Sequence, residues 1–217
     1  MTSIAERWVE VDDRVAAAAQ RSGRDRQDVR VVAATKTVAL DPIRALLAAG
    51  CADLGENRAQ ELLAKAPELA DGPSFVWHFI GPVQRNKVNP LAPWVRWWHT
   101  VDRPALVTAL GSRVPGATVL LEVNLAGEPQ KAGCEPSSVT RLADSARAAG
   151  LDVVGLMAIP PHPGDPRRWF AALADLAASE GLRELSMGMS EDYEIAVEEG
   201  ATVVRLGRVL FGQRSER

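Results

Sequence analysis

The chain is poor in cysteine, poor in lysine and free of long apolar runs, and each shortage excludes something. Its two cysteines, Cys51 and Cys134, are far apart and form no CxxC pair, so reduced thiols in a cytoplasmic protein are expected. No stretch approaches the roughly 20 apolar residues of a membrane span. The N-terminal MTSIAERWVEVDDR is charged and amphipathic, unlike a secretory leader. A basic surplus is also missing: 25 Lys and Arg against 28 Asp and Glu leave a net charge of −3. A general nucleic-acid binder would be basic, so neither a nucleic-acid nor a membrane partner is expected. There is no low-complexity segment and no linker long enough to divide the chain, which predicts one domain over residues 1–217. With 47% hydrophobic residues, disorder as the main state is excluded.

The lysine shortage is the most pointed. Lys36, Lys65, Lys87 and Lys131 are the only lysines among 25 basic residues. Lysine can lose its proton and act as a nucleophile, whereas arginine effectively cannot.

Residues 3–20 read as a helix, capped by Ser3, with Ile4, Trp8, Val11 and Val15 at helical spacing. Strand and helix patterns then alternate. Strand segments fall near residues 32, 53, 77, 98, 121, 156, 185 and 204, and a helical segment follows each of the first seven. Those helices are placed at 42–49, 57–66, 83–91, 104–112, 137–149, 167–180 and 192–198, several closed by glycine. Strict alternation implies parallel strands with helical crossovers. Eight βα units in about 200 residues predict an α/β fold, a single-domain TIM (β/α)8 barrel with an extra N-terminal helix. The competing doubly wound sheet lacks its Gly-rich phosphate fingerprint after the first strand.

In a TIM barrel the chemistry sits at the C-terminal ends of the strands. Lys36 follows the first, an amine placed for Schiff-base chemistry. Gly188-Met189-Ser190 follows the seventh and leads into a helix, with Ser190 expected at its N-cap. Gly207-Arg208 follows the eighth. Phosphate sites of this fold are commonly built from these last two loops. A lysine nucleophile with a phosphate cup suggests pyridoxal 5′-phosphate (PLP), and Arg205 can then reach under its pyridine ring. A Schiff-base aldolase without cofactor would share the lysine and the cup but would not need Arg205.

The segments VVAATKT, DLGENRAQE, WHFIGPVQRNK, HTVDR, VNLAGEPQKAG, GLMAIPP and LSMGMSEDYEIAVEEGATVVRLGRVLFG closely resemble the pyridoxal phosphate homeostasis protein family, YggS/PROSC. The resemblance runs from the first helix to Gly212 and implies a fold-type III PLP barrel like that of alanine racemase. Lys36 then resembles the lysine that carries PLP as an aldimine. Asn57 resembles a polar residue of the pocket, and Met157 and Ser186 resemble residues lining it. Ser190, Gly207 and Arg208 resemble the phosphate-binding positions, and Arg205 the arginine facing the pyridine nitrogen. Ala34, where serine is common, and Tyr193, where methionine is frequent, depart from the pattern. The implied role is PLP buffering or delivery to apo-enzymes by a monomer, without committed catalysis. The alternative is an amino-acid racemase, whose fold type carries a second, β-rich domain that this sequence does not show.

Other residues are assigned plainer roles. His78 and His99 are expected as buried or hydrogen-bonding imidazoles, not metal ligands. His162 is expected in a loop. Glu56 and Asp102 are expected to orient backbone or pair with arginine. Trp94, Trp97 and Trp98 are expected in core and helix packing, and Arg85, Lys87 and Arg96 on a solvated surface.

Overall fold

The computed structural model describes residues 2–161 and 164–212. Short β-branched and leucine-rich runs form the strands β1 (Arg30–Ala34), β2 (Asp53–Glu56), β3 (Val76–Phe79), β4 (Val95–Val101), β5 (Thr118–Glu122), β6 (Asp152–Met157), β7 (Glu184–Ser186) and β8 (Val203–Leu206). Every neighbouring pair is parallel, and β8 returns to β1 to close the barrel in sequence order. The expected (β/α)8 barrel is therefore the observed fold.

Around it run α1 (Ile4–Arg21), α2 (Leu40–Ala48), α3 (Ala59–Leu69), α4 (Val88–Leu91), α5 (Pro104–Arg113), α6 (Val139–Ala148), α7 (Arg167–Ser179), α8 (Tyr193–Glu198) and α9 (Arg208–Phe211). Ser3 caps α1 as expected: its Oγ accepts from the Glu6 N–H, and the Glu6 carboxylate accepts from the Ser3 N–H at 2.7 Å. The single helix expected over 83–91 is instead a 3-10 turn, Arg85–Lys87, followed by α4. Pro90, Pro93 and the missing side-chain cap leave little to sustain a longer helix there. The helix expected from residue 57 begins at Ala59 and runs past Pro67 to Leu69.

The main core lies between barrel and helices, with Trp98, Phe79, Phe170, Ile43 and Leu121 fully or almost fully buried. On the opposite strand face a small cluster of Val32, Ile80 and Val203 fills part of the barrel interior. Gly55 belongs to that layer, because a Cβ there would stand 2.7 Å from Val32 and 2.9 Å from Ile80. Polar groups are also buried on the strands, among them Asp53, His78, His99, Ser186 and Arg205. No helix among the described residues is long and apolar enough to cross a membrane.

Candidate functional site

A cleft of about 1680 Å³ opens over the C-terminal strand ends. Its wall includes Lys36, Asn57, Ser190, Arg205, Gly207 and Arg208, six of the eight residues singled out from the sequence. Met157 and Ser186 are not on that wall. They sit side by side in register at the ends of β6 and β7, fully buried, with Ser186 behind the Arg205 guanidinium. Ala34, one of the departures from the family pattern, does line the cleft.

Lys36 follows β1 and is half-buried. Its Nζ makes no hydrogen bond or ion pair among the described residues, so the amine is free toward the cleft. The backbone around it is braced from behind. Thr37 stands in the left-handed region at φ +62°, which is costly for a β-branched residue. Its N–H donates to Glu61 Oε2 at 2.7 Å. The buried Lys65 ammonium donates to the Thr35 carbonyl at 2.8 Å, to Glu56 Oε2 at 2.7 Å and to Glu61 Oε2 at 2.9 Å. Thr35 Oγ1 also donates to Glu56 Oε2 at 3.0 Å. Glu56 Oε1 accepts from the Asn57 N–H at 2.8 Å, which fixes the start of the β2 loop. Glu56 thus orients backbone as expected, but its cation is Lys65 rather than an arginine. Asp102 pairs with Arg103.

Ser190 corrects one expectation. It does not cap the helix after β7; Asp192 is the N-cap of α8. The Asp192 carboxylate accepts from the Met189 N–H at 2.6 Å, which turns the chain before the helix begins. Ser190 Oγ is thereby left to accept from the N–H groups of Gly207 and Val209, both at 3.4 Å, across the gap to α9. The N–H groups of Ser190 and Arg208 have no partner among the described residues. Two loops therefore offer unused N–H donors and a hydroxyl to one small volume, a cradle suited to an anion.

The two glycines of these loops differ. Gly188 has φ +89°, and a Cβ there would stand 2.5 Å from Ala196, so packing and conformation require it. Gly207 has negative φ, and a Cβ there would meet only Ala34, at 3.5 Å. Nothing in the protein demands glycine at 207, whereas a ligand approaching the backbone would. The Arg208 side chain pairs with Glu191 at 2.6 Å.

Arg205 shares the cleft wall with the amine and the cradle and stands next to Val32 in the β1–β8 register. Its Nη1 donates to Ser186 Oγ at 2.6 Å and its Nη2 to the Ala158 carbonyl at 3.1 Å. No carboxylate among the described residues is within ion-pair distance of it, and its Nε makes no hydrogen bond there. Burial pulls its pKa down to about 10, against the pull of the Glu122 and Asp192 charges.

Glu122, buried at the end of β5 and outside the cleft wall, has a strongly shifted carboxyl. Burial, aided by the Asp102 charge, pushes its carboxyl from 4.5 up to about 7. Between those pH values the folded protein keeps a proton that the unfolded chain has released. Stability should therefore fall as pH rises through that window. Glu122→Gln should be more stable than the parent at pH 8, by up to about 3 kcal/mol, with the gap closed near pH 4. Urea titrations at the two pH values measure it.

Trp98 is fully buried; Trp97 is half-buried against His78, with Arg30 over its other neighbourhood. Arg85 and Arg96 are exposed. Burial pushes both thiols up to about 11, which leaves them unreactive. No group of three potential metal ligands occurs among the described residues. His162 lies outside those residues. Sequence reasoning missed the Lys65 brace and the contact between the two histidines. The scarcity of lysine marked Lys65, and Glu61 with Lys65 has the i,i+4 spacing of a helical ion pair.

Residues 10–215 match the family described as alanine racemase, N-terminal domain. The pyridoxal phosphate homeostasis protein of Pseudomonas aeruginosa is 43% identical over 224 residues, covering 99% of this chain and 97% of that protein. Its Aquifex aeolicus counterpart is 40% identical over 223 residues, covering 96% and 97%. The chain belongs to the pyridoxal phosphate homeostasis protein family. Among solved structures, Synechococcus elongatus PipY with PLP bound superposes with a TM-score of 0.82 at 32% identity, over 97% of this chain and 100% of that one.

Proposed function

We propose that this family member binds PLP in the cleft and holds it for delivery to apo-enzymes, without turning over amino acids. The observation that carries the reading is the convergence of one free amine, one buried cation and one anion cradle on a single cleft. The fit can be tested group by group. PLP supplies an aldehyde, an electron-withdrawing pyridine ring and a phosphate dianion. Lys36 provides the amine that the aldehyde requires. Ser190 and the N–H groups of Ser190 and Arg208 hold the phosphate, and the bare backbone of Gly207 leaves room for it. Arg205 offers an unused N–H toward the ring nitrogen, and Asn57 lies on the wall nearby. The buried cation needs an electron-rich neighbour, and the cleft is where one can come. Ser186 supports Arg205 from behind, with Met157 beside it on β6, and neither lines the pocket.

Two features favour a carrier over a racemase. Racemisation needs acid/base groups positioned on both faces of the substrate. Among the described residues, the two acidic groups on the cleft wall are already engaged, Asp192 by the Met189 N–H and Glu191 by Arg208. The cleft also exceeds the roughly 300–1,000 Å³ typical of small-ligand pockets, so water reaches the bound group. The chain acts as one domain and as a monomer: of the large exposed hydrophobics among the described residues, Ile159 and Met189 line the cleft and only Val9 lies elsewhere, which leaves no apolar patch for a second copy. Free thiols and the family assignment fit a cytoplasmic location.

The test is transfer. Loaded protein mixed with the apo form of a PLP enzyme should restore that enzyme's activity. Ser190→Ala should bind PLP more weakly by about 1–3 kcal/mol, through loss of a charge-assisted hydrogen bond. Pyridoxal, lacking the phosphate, should bind far more weakly than PLP to the parent. Equal affinities for the two vitamers would remove the phosphate cradle from the account.

A further inference from the structure

The barrel interior holds a file of polar groups that the cleft does not use. Asp53 Oδ1 lies 2.9 Å from His78 Nε2. His78 Nδ1 lies 2.9 Å from His99 Nε2. His99 Nδ1 lies 2.8 Å from Ser186 Oγ. Ser186 Oγ accepts from Arg205 Nη1 at 2.6 Å. At the far end Arg30 Nη1 donates to Asp53 Oδ1 at 2.8 Å. The geometry points to His78 and His99 as positioning residues for Arg205: with Asp53 and Ser186 they form a one-way hydrogen-bonded file that fixes how the guanidinium faces the cleft. The inference rests on the PLP reading for its consequence, though not for its geometry.

The direction follows from donor counting. A guanidinium can only donate, and an ionised carboxylate can only accept. Arg205 therefore gives a proton to Ser186 Oγ, and the Ser186 O–H must donate onward to His99 Nδ1. His99 then donates from Nε2 to His78 Nδ1, and His78 donates from Nε2 to Asp53. Both imidazoles are neutral and carry their proton on Nε2. Any reversed file leaves the Ser186 hydroxyl with two donors aimed at it and no acceptor for its own proton among the described residues. Burial also pushes both histidines below their ordinary value, opposing a charged ring. Asp53 is held below the ordinary carboxylate range by His78 and Arg30 against its own burial, so it remains an acceptor.

The consequence is orientational. Nη1 gives one N–H to Ser186 and Nη2 one to Ala158, which fixes the guanidinium plane and leaves the Nε–H and the second N–H of each Nη without a partner among the described residues. Without the file, Ser186 Oγ could rotate and the guanidinium could swing. The effect should be confined to ligands that present an acceptor to Arg205.

The test pairs PLP with its 1-deaza analogue, in which a C–H replaces the ring nitrogen. Ser186→Ala and His99→Phe should each weaken PLP binding by about tenfold while leaving analogue binding unchanged. Equal losses for both ligands would reduce the file to a packing element and overturn the proposal. Nitrogen NMR of the two imidazoles in unloaded parent protein decides the geometry independently, including where a variant fails to fold. Neutral rings protonated on Nε2 from pH 6 to 8 are expected; a charged ring, or a proton on Nδ1, overturns the file. If the parent binds neither ligand, the PLP reading fails and the NMR result still judges the file.

Discussion

Lys65→Met should cost this protein about 3–5 kcal/mol of stability, the range for removing one partner of a buried ion pair. Lys65 is only 9% exposed, and Glu56 is fully buried. The ammonium serves two carboxylates and a carbonyl at once, at 2.7 to 2.9 Å. A methionine fills similar space but leaves the Glu56 charge in the interior without its cation. Asn57 and Thr35 still donate to that carboxylate, yet neither carries charge. Against a usual total of about 5–15 kcal/mol, such a loss is severe. Adding Glu56→Gln to Lys65→Met should recover part of it, and a double-mutant cycle in urea measures the coupling. A loss under about 1 kcal/mol would mean the brace is a solvated surface pair. The same substitution should loosen Thr35 and the strained Thr37, and so weaken the hold on Lys36.

The second large expectation concerns turnover. In deuterated water, PLP bound to this protein should exchange the α-proton of L-alanine little faster than free PLP at equal concentration. Any acceleration should fall far below the roughly million-fold lower end typical of enzymes. Among the described residues the wall of the cleft offers no unengaged acid, and its breadth admits water, which weakens electrostatic stabilisation of a developing carbanion. Rapid stereochemical scrambling of an amino acid, lost in Lys36→Ala, would make the racemase alternative correct.

The barrel was legible because its signal is periodic. Eight apolar runs, each followed by a helical segment except the last, leave few topologies open, and short connections force parallel neighbours. Lys36, Arg205 and the β8 loop were legible because strand ends define the active face. Ser190 shows where local reading stops. Ser190 and Asp192 are both good capping residues, two positions apart. The competition is decided by the Met189 N–H and by α9, which is 17 residues away at Gly207. The interior file was invisible for a related reason. His78 and His99 are 21 residues apart, and His99 and Ser186 are 87 apart. They meet only because the barrel closes with their strands in one particular register, broken by irregularities in β3–β4 and β4–β5. No sequence spacing encodes that meeting.

The scarcity of lysine makes the central claim easy to test. The protein is mixed with PLP, reduced with borohydride, digested, and its peptides are mapped by mass spectrometry. Borohydride converts a carbon–nitrogen double bond between lysine and cofactor into a stable amine, so the label marks the residue that held the aldehyde. Four lysines can carry it, and they differ in their surroundings: Lys65 is bound to Glu56 and Glu61, Lys131 pairs with Glu128, and Lys87 closes the 3-10 turn before α4. The account predicts one stoichiometric phosphopyridoxyl group, on Lys36, and none in Lys36→Ala. A label that remains in Lys36→Ala, or one spread over Lys65, Lys87 and Lys131 in the parent, would contradict it.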